Sequence, residues 1–393
     1  IKMDEQKRQE RAAGLLSLRH FSIDNYSNYI TPLLPFIAAK MNITISIISL
    51  IISFSHLGAS IFQPVFGHIA DHFKKRFFVF WGMVLAAVFM PLAAMTNNVW
   101  LLGLFILIGS IGIGFYHPQA SGLVNKFGIN KISKNMGILL ASGTIGYACG
   151  PVFSSFIVKY FGYDNSFVGI IPGVIVAFLI YFLLPKIPQN FVEAKKEETN
   201  LSLVIKEVLK NKILMILIWV AIVKSLVAMT FTFFIPFVLK DYNYSVVSIG
   251  ILISTFSLLG GLGSFIGGKI VPRTGAKLCY YISVLPILPM SLGFLFFLDK
   301  SVIWFSILFA LSGFFTFFSA SVNMVMAQNL MPEHKGFISG IIGGFCWGVI
   351  GIMLTPIGFL AEKTGIIPIL VAISFIAFAS SILVKYLPED QAL

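Results

Sequence analysis

The stretch GHIADHFKKR at residues 67–76 decides the fold, because it joins the end of one long apolar run, 44–71, to the start of the next, 77–95. A weaker copy, GKIVPRTGAK, joins two later apolar runs at 268–277. Further identities keep the same offset of 201 residues: Pro35 with Pro236, Asn42 with Asn243, Gly143 with Gly344, and Gly150 with Gly351. A constant offset without gaps predicts two halves of one fold in parallel repeat.

The composition excludes a soluble protein, since 57% of the 393 residues are hydrophobic and only 11% are charged. A typical soluble domain carries about 25% charged residues. These values exclude a soluble enzyme, a nucleic-acid-binding domain and a disordered chain, and they predict a polytopic membrane protein. The 28 Lys and Arg against 16 Asp and Glu then indicate loops that face the cytoplasm rather than a nucleic-acid partner.

Apolar runs long enough to cross a bilayer as helices, which takes about 20 residues each, recur along the chain. Twelve are found: 14–39, 44–71, 77–95, 99–123, 135–161, 164–184, 213–239, 246–271, 278–298, 302–331, 336–361 and 366–387. They predict an all-α membrane protein of twelve transmembrane helices in two pseudo-symmetric six-helix halves. The halves are expected at 1–184 and 213–393, joined by a cytoplasmic linker, 185–212, with a short amphipathic helix on the membrane surface.

The basic residues are distributed unequally between the two sides of the predicted membrane domain. Most lie on the side that holds both termini and the loops after even-numbered runs, so both termini are expected to be cytoplasmic. The opposite side holds single lysines: Lys40, Lys159, Lys240, Lys300 and Lys363. A composition rich in Ile, Lys, Phe and Asn indicates a bacterium, and the predicted location is therefore the bacterial cytoplasmic (inner) membrane.

The stretch at 67–76 resembles the loop signature G-x-L-A-D-R-x-G-R-R of the major facilitator superfamily. The resemblance implies that Gly67 permits close helix packing and that Asp71, Lys75 and Arg76 hold the cytoplasmic side closed when the protein is open outward. Pro272 replaces the acidic residue in the second copy, so only the first copy would form a charged gate. The alternative is that both loops are merely basic cytoplasmic loops.

Two further stretches resemble drug-exporting members of that superfamily. The fifth run contains a glycine series with the spacing of the antiporter motif: Gly137, Gly143, Gly146 and Gly150, followed by Pro151. The alternative is a general packing face of small residues. The fourth run contains GIGFYHPQAS at 112–121, which resembles the His-Pro-x-Ala-Ser stretch of the fosmidomycin-resistance subfamily. This resemblance implies proton-coupled export of a small phosphonate.

Ionisable residues inside an apolar run are candidate functional residues, because they are costly in a bilayer unless they face a wet cavity or a partner. Asp24 shares one helical face with His20 and Asn28, and it is predicted to couple transport to protons together with His117. Lys224 in the seventh run corresponds by the repeat offset to the position before Asp24. The alternatives are a structural carboxylate at Asp24, a snorkelling lysine at Lys224 and a backbone-bonded histidine at His117.

The predicted substrate-binding residues are polar groups that the spans place within the membrane: Lys224, His20, Asn28, His56, Gln63, His117, Gln119 and Asn323. Lys224 would give the cavity a positive potential, which favours an anionic or zwitterionic substrate. For His56, Gln63 and Asn323 the alternative is hydrogen bonding between helices.

The sequence lacks a nucleotide-binding G-x-x-x-x-G-K-[ST] motif and any catalytic or metal-binding spacing, and so no enzyme activity, cofactor or metal is predicted. The predicted function is proton-coupled export of a small drug-like molecule by a monomer that alternates its access to the two sides of the membrane. Its partners are the substrate, protons and the lipid bilayer. The alternatives are an importer or facilitator of a metabolite anion and, more remotely, a transporter-like receptor or membrane enzyme.

Overall fold

The computed structural model describes residues 2–61, 77–127, 132–184 and 201–388. Every regular element within these ranges is helical, which confirms the predicted all-α class. Within the same ranges nine helical segments are long and apolar enough to cross a membrane, and two shorter apolar helices cover Ile45–Ser60 and Val79–Met95. The count of twelve spans stays a prediction.

The described helices before the predicted linker are α1, Lys2–Ser27; α2, Leu34–Met41; α3, Ile45–His56; α4, Phe77–Met95; α5, Val99–Phe127; α6, Ile132–Phe161; and α7, Ile170–Leu183. The later ones are α8, Leu201–Lys210; α9, Lys212–Asp241; α10, Val246–Thr274; α11, Ala276–Val284; α12, Ile287–Phe297; α13, Val302–Phe317; α14, Ala320–Leu330; α15, Lys335–Gly340; α16, Cys346–Thr364; α17, Ile366–Ala379; and α18, Ser381–Val384. A π-helical turn follows α3 at Leu57–Ile61, and another joins α15 to α16 at Ile341–Phe345.

The first predicted span, 14–39, differs from the structure at both ends. The helix α1 already begins at Lys2, because the polar stretch before the apolar run consists mainly of good helix formers. It ends at Ser27, and a 3₁₀ turn over Thr31–Leu33 leads into α2. Pro32 and Pro35 supply no N–H groups, which removes two helical hydrogen bonds close together and favours a break in this segment.

Other predicted spans are divided as well, among them 278–298 and 302–331. The span 278–298 breaks between α11 and α12 at Pro286, where the missing N–H gives the reason. The span 302–331 breaks between α13 and α14, where Ser319 has the non-helical angles φ −95° and ψ 12°. No proline lies at this second break, and the sequence contains no pattern that predicts it.

The internal repeat is visible in the backbone at Asn42 and Asn243. Both residues adopt the left-handed conformation, with φ of 53° and 60°. In each case the next residue ends the helix by bonding back to the carbonyl five residues earlier. The Ile43 N–H donates to the Ala38 carbonyl at 3.0 Å, and the Tyr244 N–H donates to the Leu239 carbonyl at 2.9 Å. Asn tolerates this conformation better than most residues, which explains the matched pair in the sequence.

The chain packs as two units, one of Ile1–Val192 with Leu239–Ser254 and one of Glu193–Val238 with Thr255–Leu393. In the first unit α1 packs along α6, and α4 packs along α5. In the second, a buried core includes Leu217, Tyr280 and Val322, and Val204 and Val208 of α8 belong to it. The stretch predicted as a linker thus contains a helix, α8, while its role as a cytoplasmic linker, its place on a membrane surface and the predicted domain boundaries stay predictions.

Candidate functional site

The helices α1 and α6 lie side by side in a constant register. His20 donates from Nδ1 to the Leu139 carbonyl at 2.7 Å, because a carbonyl oxygen only accepts. Two turns later, Asn28 donates from Nδ2 to the Tyr147 carbonyl at 3.1 Å. Both bonds join residues 119 positions apart, as expected for two parallel helices that advance together.

The glycines of the antiporter-like motif allow this close approach of α6 to α1, but not every one of them contacts α1. A Cβ atom on Gly146 would collide with the Phe21 carbonyl, and one on Gly150 with the Asn25 carbonyl. At Gly137, by contrast, an added Cβ would meet nothing within 4 Å. The motif therefore seats α6 against the backbone of α1 over its later part only.

Pro151, at the end of the motif, gives Asn28 a structural task. Within a helix the Tyr147 carbonyl would accept the N–H of residue 151, but proline has none. Asn28 supplies the missing donor at 3.1 Å, and its Oδ1 accepts from Thr31 at 2.7 Å. This arrangement favours a packing role for Asn28 over the predicted substrate contact.

Three predicted site residues meet in the first unit. His20 Nε2 lies 3.3 Å from Asp24 Oδ2, and His117 Nε2 of α5 lies 3.5 Å from Asp24 Oδ1. The two imidazole rings stand edge to face with centroids 5.2 Å apart. Tyr116, which precedes His117, donates from its hydroxyl to the Leu16 carbonyl at 3.0 Å and so holds α5 against α1. We call His20, Asp24 and His117 the acid–imidazole cluster.

Gly143 forms the wall of the acid–imidazole cluster on α6. A Cβ atom at this position would lie 2.6 Å from Asp24 Oδ2 and 2.7 Å from His20 Nε2. Within the described ranges, the cluster is the one group of three or more His, Cys, Asp or Glu residues whose side-chain polar atoms all lie within 4.8 Å of one another. No spacing in the sequence predicts this group, because His117 comes from a different helix.

Lys224 occupies a buried position on α9 in the second unit, with 5% of its surface exposed. Its Nζ donates to Ser319 Oγ at 2.8 Å, at the break between α13 and α14. Among the described residues no carboxylate oxygen lies within the 4.0 Å ion-pair distance of this nitrogen. The burial argues against the snorkelling alternative, since a snorkelling ammonium group reaches water.

The acid–imidazole cluster and Lys224 occupy matching positions in the sequence repeat. At the offset of 201 residues, Lys224 corresponds to the position before Asp24, and Ser319 to the position after His117. At these positions each unit thus has a polar side-chain contact between its first long helix and its fourth predicted span. The first unit carries an acid there and the second a base. Ser319 was not a predicted site residue, and the repeat offset is the pattern that could have found it.

The remaining predicted residues have other places. Asn323 uses both ends of its amide, accepting from the Tyr280 hydroxyl at 2.6 Å and donating to the Leu217 carbonyl at 3.3 Å, which favours the helix-bonding alternative. His56 ends α3, directly before the π-helical turn. Gln63 and the gate residues Gly67, Asp71, Lys75 and Arg76 lie outside the described residues, as does the side chain of Gln119.

Comparison with known proteins gives transporters throughout. The fosmidomycin resistance protein of Escherichia coli (strain K12) is 21% identical over 384 residues, which cover 96% of this chain and 93% of that protein. A probable sugar efflux transporter of Helicobacter pylori (strain G27) is 27% identical over 284 residues, 69% of this chain and 68% of that protein.

Solved structures share the fold at low sequence identity. The nucleoside transporter NupG superimposes with a TM-score of 0.75 at 16% identity and covers 96% of this chain and 98% of its own. A bacterial homologue of the human lysosomal transporter Spinster, inward-facing and occupied, gives 0.75 at 14% identity, over 95% of this chain and 96% of its own. The family model of the Major Facilitator Superfamily matches residues 17–356. The chain is therefore a multi-pass membrane transporter and belongs to the Major Facilitator Superfamily.

Proposed function

We propose that this transporter exports a small anionic or zwitterionic molecule in exchange for protons, by alternating access. The observation that carries the substrate class is Lys224. Its ammonium group is buried and bonded to a neutral hydroxyl, Ser319 Oγ, at 2.8 Å. A lone buried cation is costly in a membrane and gains most from an anion. A substrate that carries a carboxylate or phosphonate supplies that charge.

The acid–imidazole cluster supports proton exchange. Asp24 lies within 3.5 Å of a nitrogen of each histidine, so a proton has three acceptors within one short path. Asp24 and His117 are the proposed coupling residues, as the sequence predicts. Carboxylates and imidazoles inside membrane helices commonly form proton relays in transporters.

The direction of transport is proposed from the named relatives. One is called a probable sugar efflux transporter, a name that describes outward movement, and another a fosmidomycin resistance protein, for which export of the drug would be one basis of resistance. In this proposal the loop with Gly67, Asp71, Lys75 and Arg76 closes the cytoplasmic side. The protein works as a monomer in the bacterial cytoplasmic membrane with both termini in the cytoplasm.

The test is solute flux in proteoliposomes under an imposed pH gradient, with fosmidomycin as the probe. We expect fosmidomycin to move against the proton flow, and Asp24→Asn to abolish this pH-driven movement while exchange of labelled for unlabelled fosmidomycin continues. Movement in the same direction as the protons would instead identify an importer. A susceptibility panel in a pump-deficient host, in which only lipophilic cations are exported, would contradict the anion proposal.

A further inference from the structure

The Leu139 carbonyl fixes the protonation pattern of His20. Its oxygen lies 2.7 Å from His20 Nδ1, and since a carbonyl oxygen has no hydrogen to donate, the proton must sit on Nδ1. The same oxygen accepts from Ser142 Oγ at 2.6 Å, which holds it in place. In neutral His20 the other nitrogen, Nε2, therefore carries only a lone pair.

That lone pair faces a carboxylate. Nε2 lies 3.3 Å from Asp24 Oδ2, and an ionised carboxylate only accepts hydrogen bonds. Two acceptors at this distance repel each other. Gly143 of α6 packs directly against the pair, because a Cβ atom added there would touch both Nε2 and Oδ2. The arrangement is stable only when one further proton lies between Nε2 and Oδ2.

We infer that His20 and Asp24 hold one proton jointly, and that this shared proton is the one exchanged for substrate. The inference rests on the proposed function and deepens it. It moves His20 from the predicted substrate contacts to the coupling machinery. Loading adds one proton to the neutral His20–carboxylate pair and creates the Nε2–H···Oδ2 bond. Release returns that proton to water and leaves two acceptors face to face, which favours separation of the side chains.

The order of exposure gives the proton its path. The exposed fraction of the side chain falls from 29% at His117 to 15% at Asp24 and 8% at His20. His117 Nε2 reaches the other carboxylate oxygen, Oδ1, at 3.5 Å. A proton that enters from water thus meets His117 first, passes to Asp24 and is then held against His20.

Among the residues that the structure describes, few other titratable groups face this pair. On α1 itself Arg19 is fully buried and directs Nη2 to the Ala177 carbonyl of α7 at 2.9 Å. From α5 come Tyr116 and His117, and from α6 Tyr147, whose electrostatic partner is Asp24. The sequence of α4 contains no ionisable residue, and that of α7 only Tyr181. His117 and Asp24 are thus the groups placed to exchange a proton with His20.

The decisive variant is His20→Asn. The Asn amide nitrogen can take the place of Nδ1 and keep the bond to Leu139, but nothing then occupies the place of Nε2. Tyr116→Phe is the matched control, because it removes a side-chain bond from α5 to the Leu16 carbonyl of α1 and leaves all three groups of the cluster intact. We expect His20→Asn to lose pH-driven fosmidomycin transport by about tenfold or more while fosmidomycin exchange continues, and Tyr116→Phe to keep both.

A second measurement does not depend on any substrate. Nitrogen-15 NMR of the histidine-labelled full chain, with His20→Asn used for assignment, reports the tautomer and titration of His20. We expect Nδ1–H in the neutral form, and a titration midpoint that moves by about one pH unit or more in Asp24→Asn and stays in Tyr116→Phe. An Nε2–H tautomer, or a midpoint indifferent to Asp24→Asn, would overturn the inference. Wild-type protein without pH-driven flux would overturn the proposed function, while the NMR result would still decide whether the pair shares a proton.

Discussion

Asn28, the first residue after α1, completes the hydrogen bonding that Pro151 disrupts on α6. The Tyr147 carbonyl, whose usual donor would be the N–H of residue 151, accepts from Asn28 Nδ2 at 3.1 Å instead. Both residues stand out in the sequence, one as a polar group inside a span and the other as the end of a motif. In the structure the two residues act together, since Asn28 bonds the part-buried carbonyl that Pro151 leaves without a helical donor.

We therefore predict that Asn28→Ala lowers the free energy of unfolding by about 1–3 kcal/mol, the cost of leaving a buried acceptor unsatisfied. Thermal or denaturant unfolding in detergent measures the effect. In a Pro151→Ala background the N–H of residue 151 is restored and can serve the Tyr147 carbonyl. The same Asn28→Ala change should then cost clearly less. Equal costs in the two backgrounds would mean that Asn28 and Pro151 act independently.

A second prediction separates the motif glycines by their surroundings. Gly146→Ala places a methyl group against the Phe21 backbone, which cannot move aside as a side chain can. We expect a loss of about 1–3 kcal/mol in unfolding free energy, as for other overpacked sites. Gly137→Ala is the matched control on the same helix, with nothing within 4 Å of the added atom. It should leave stability unchanged or raise it by up to about 1 kcal/mol. Similar losses in both variants would refute the packing argument.

Gly143→Ala should produce a different result from Gly146→Ala. Its Cβ would lie 2.6 Å from Asp24 Oδ2, but Asp24 and His20 contact it with the ends of their side chains, which can turn away. We expect a folded protein that has lost pH-driven fosmidomycin flux, because the two side chains can no longer share a proton. Proteoliposome flux and unfolding measured on the same preparation check this. A stable Gly143→Ala protein with normal pH-driven flux would show that the contact between His20 and Asp24 is dispensable.

The sequence predicts the class of fold well because the pattern of apolar residues is periodic and local. Each apolar run predicts one membrane helix by itself. Asn42 and Asn243, which are related by the repeat offset, predict the same kind of helix end in both halves. The positions of helix breaks depend on more than the local sequence. Pro286 marks one break in the sequence. The break at Ser319 lies in a stretch without proline and coincides with the hydrogen bond from Lys224, which is visible only in the folded structure.

The candidate site is predicted in part for a similar reason. His20 and Asp24 lie one helical turn apart, so their meeting is visible in the sequence. That His117 joins them depends on how α5 packs against α1, which spacing within one helix cannot report. The packing bond of Asn28 is not visible in the sequence, because its partner is a backbone carbonyl and every residue carries one. Only the position of Pro151, four residues beyond Tyr147, marks that carbonyl as needing a donor.

The last prediction concerns Lys224, which decides the substrate class. A lone cation in a membrane helix costs about 2.5–3.5 kcal/mol on insertion scales, and the hydroxyl of Ser319 at 2.8 Å offsets only part of it. A bound anion would supply the missing charge. Lys224→Gln should therefore abolish fosmidomycin transport, whereas Lys224→Arg should keep part of it, since the charge remains and the shape changes. Ser319→Ala is expected to weaken transport less than Lys224→Gln, because it removes an orienting bond but no charge.

Binding and flux of fosmidomycin in proteoliposomes test the series of Lys224 and Ser319 variants, with exported lipophilic cations as the contrasting probe. If Lys224→Gln transports fosmidomycin normally, or if cations are the better substrates of the wild type, the ammonium group has a structural role and the substrate is not an anion.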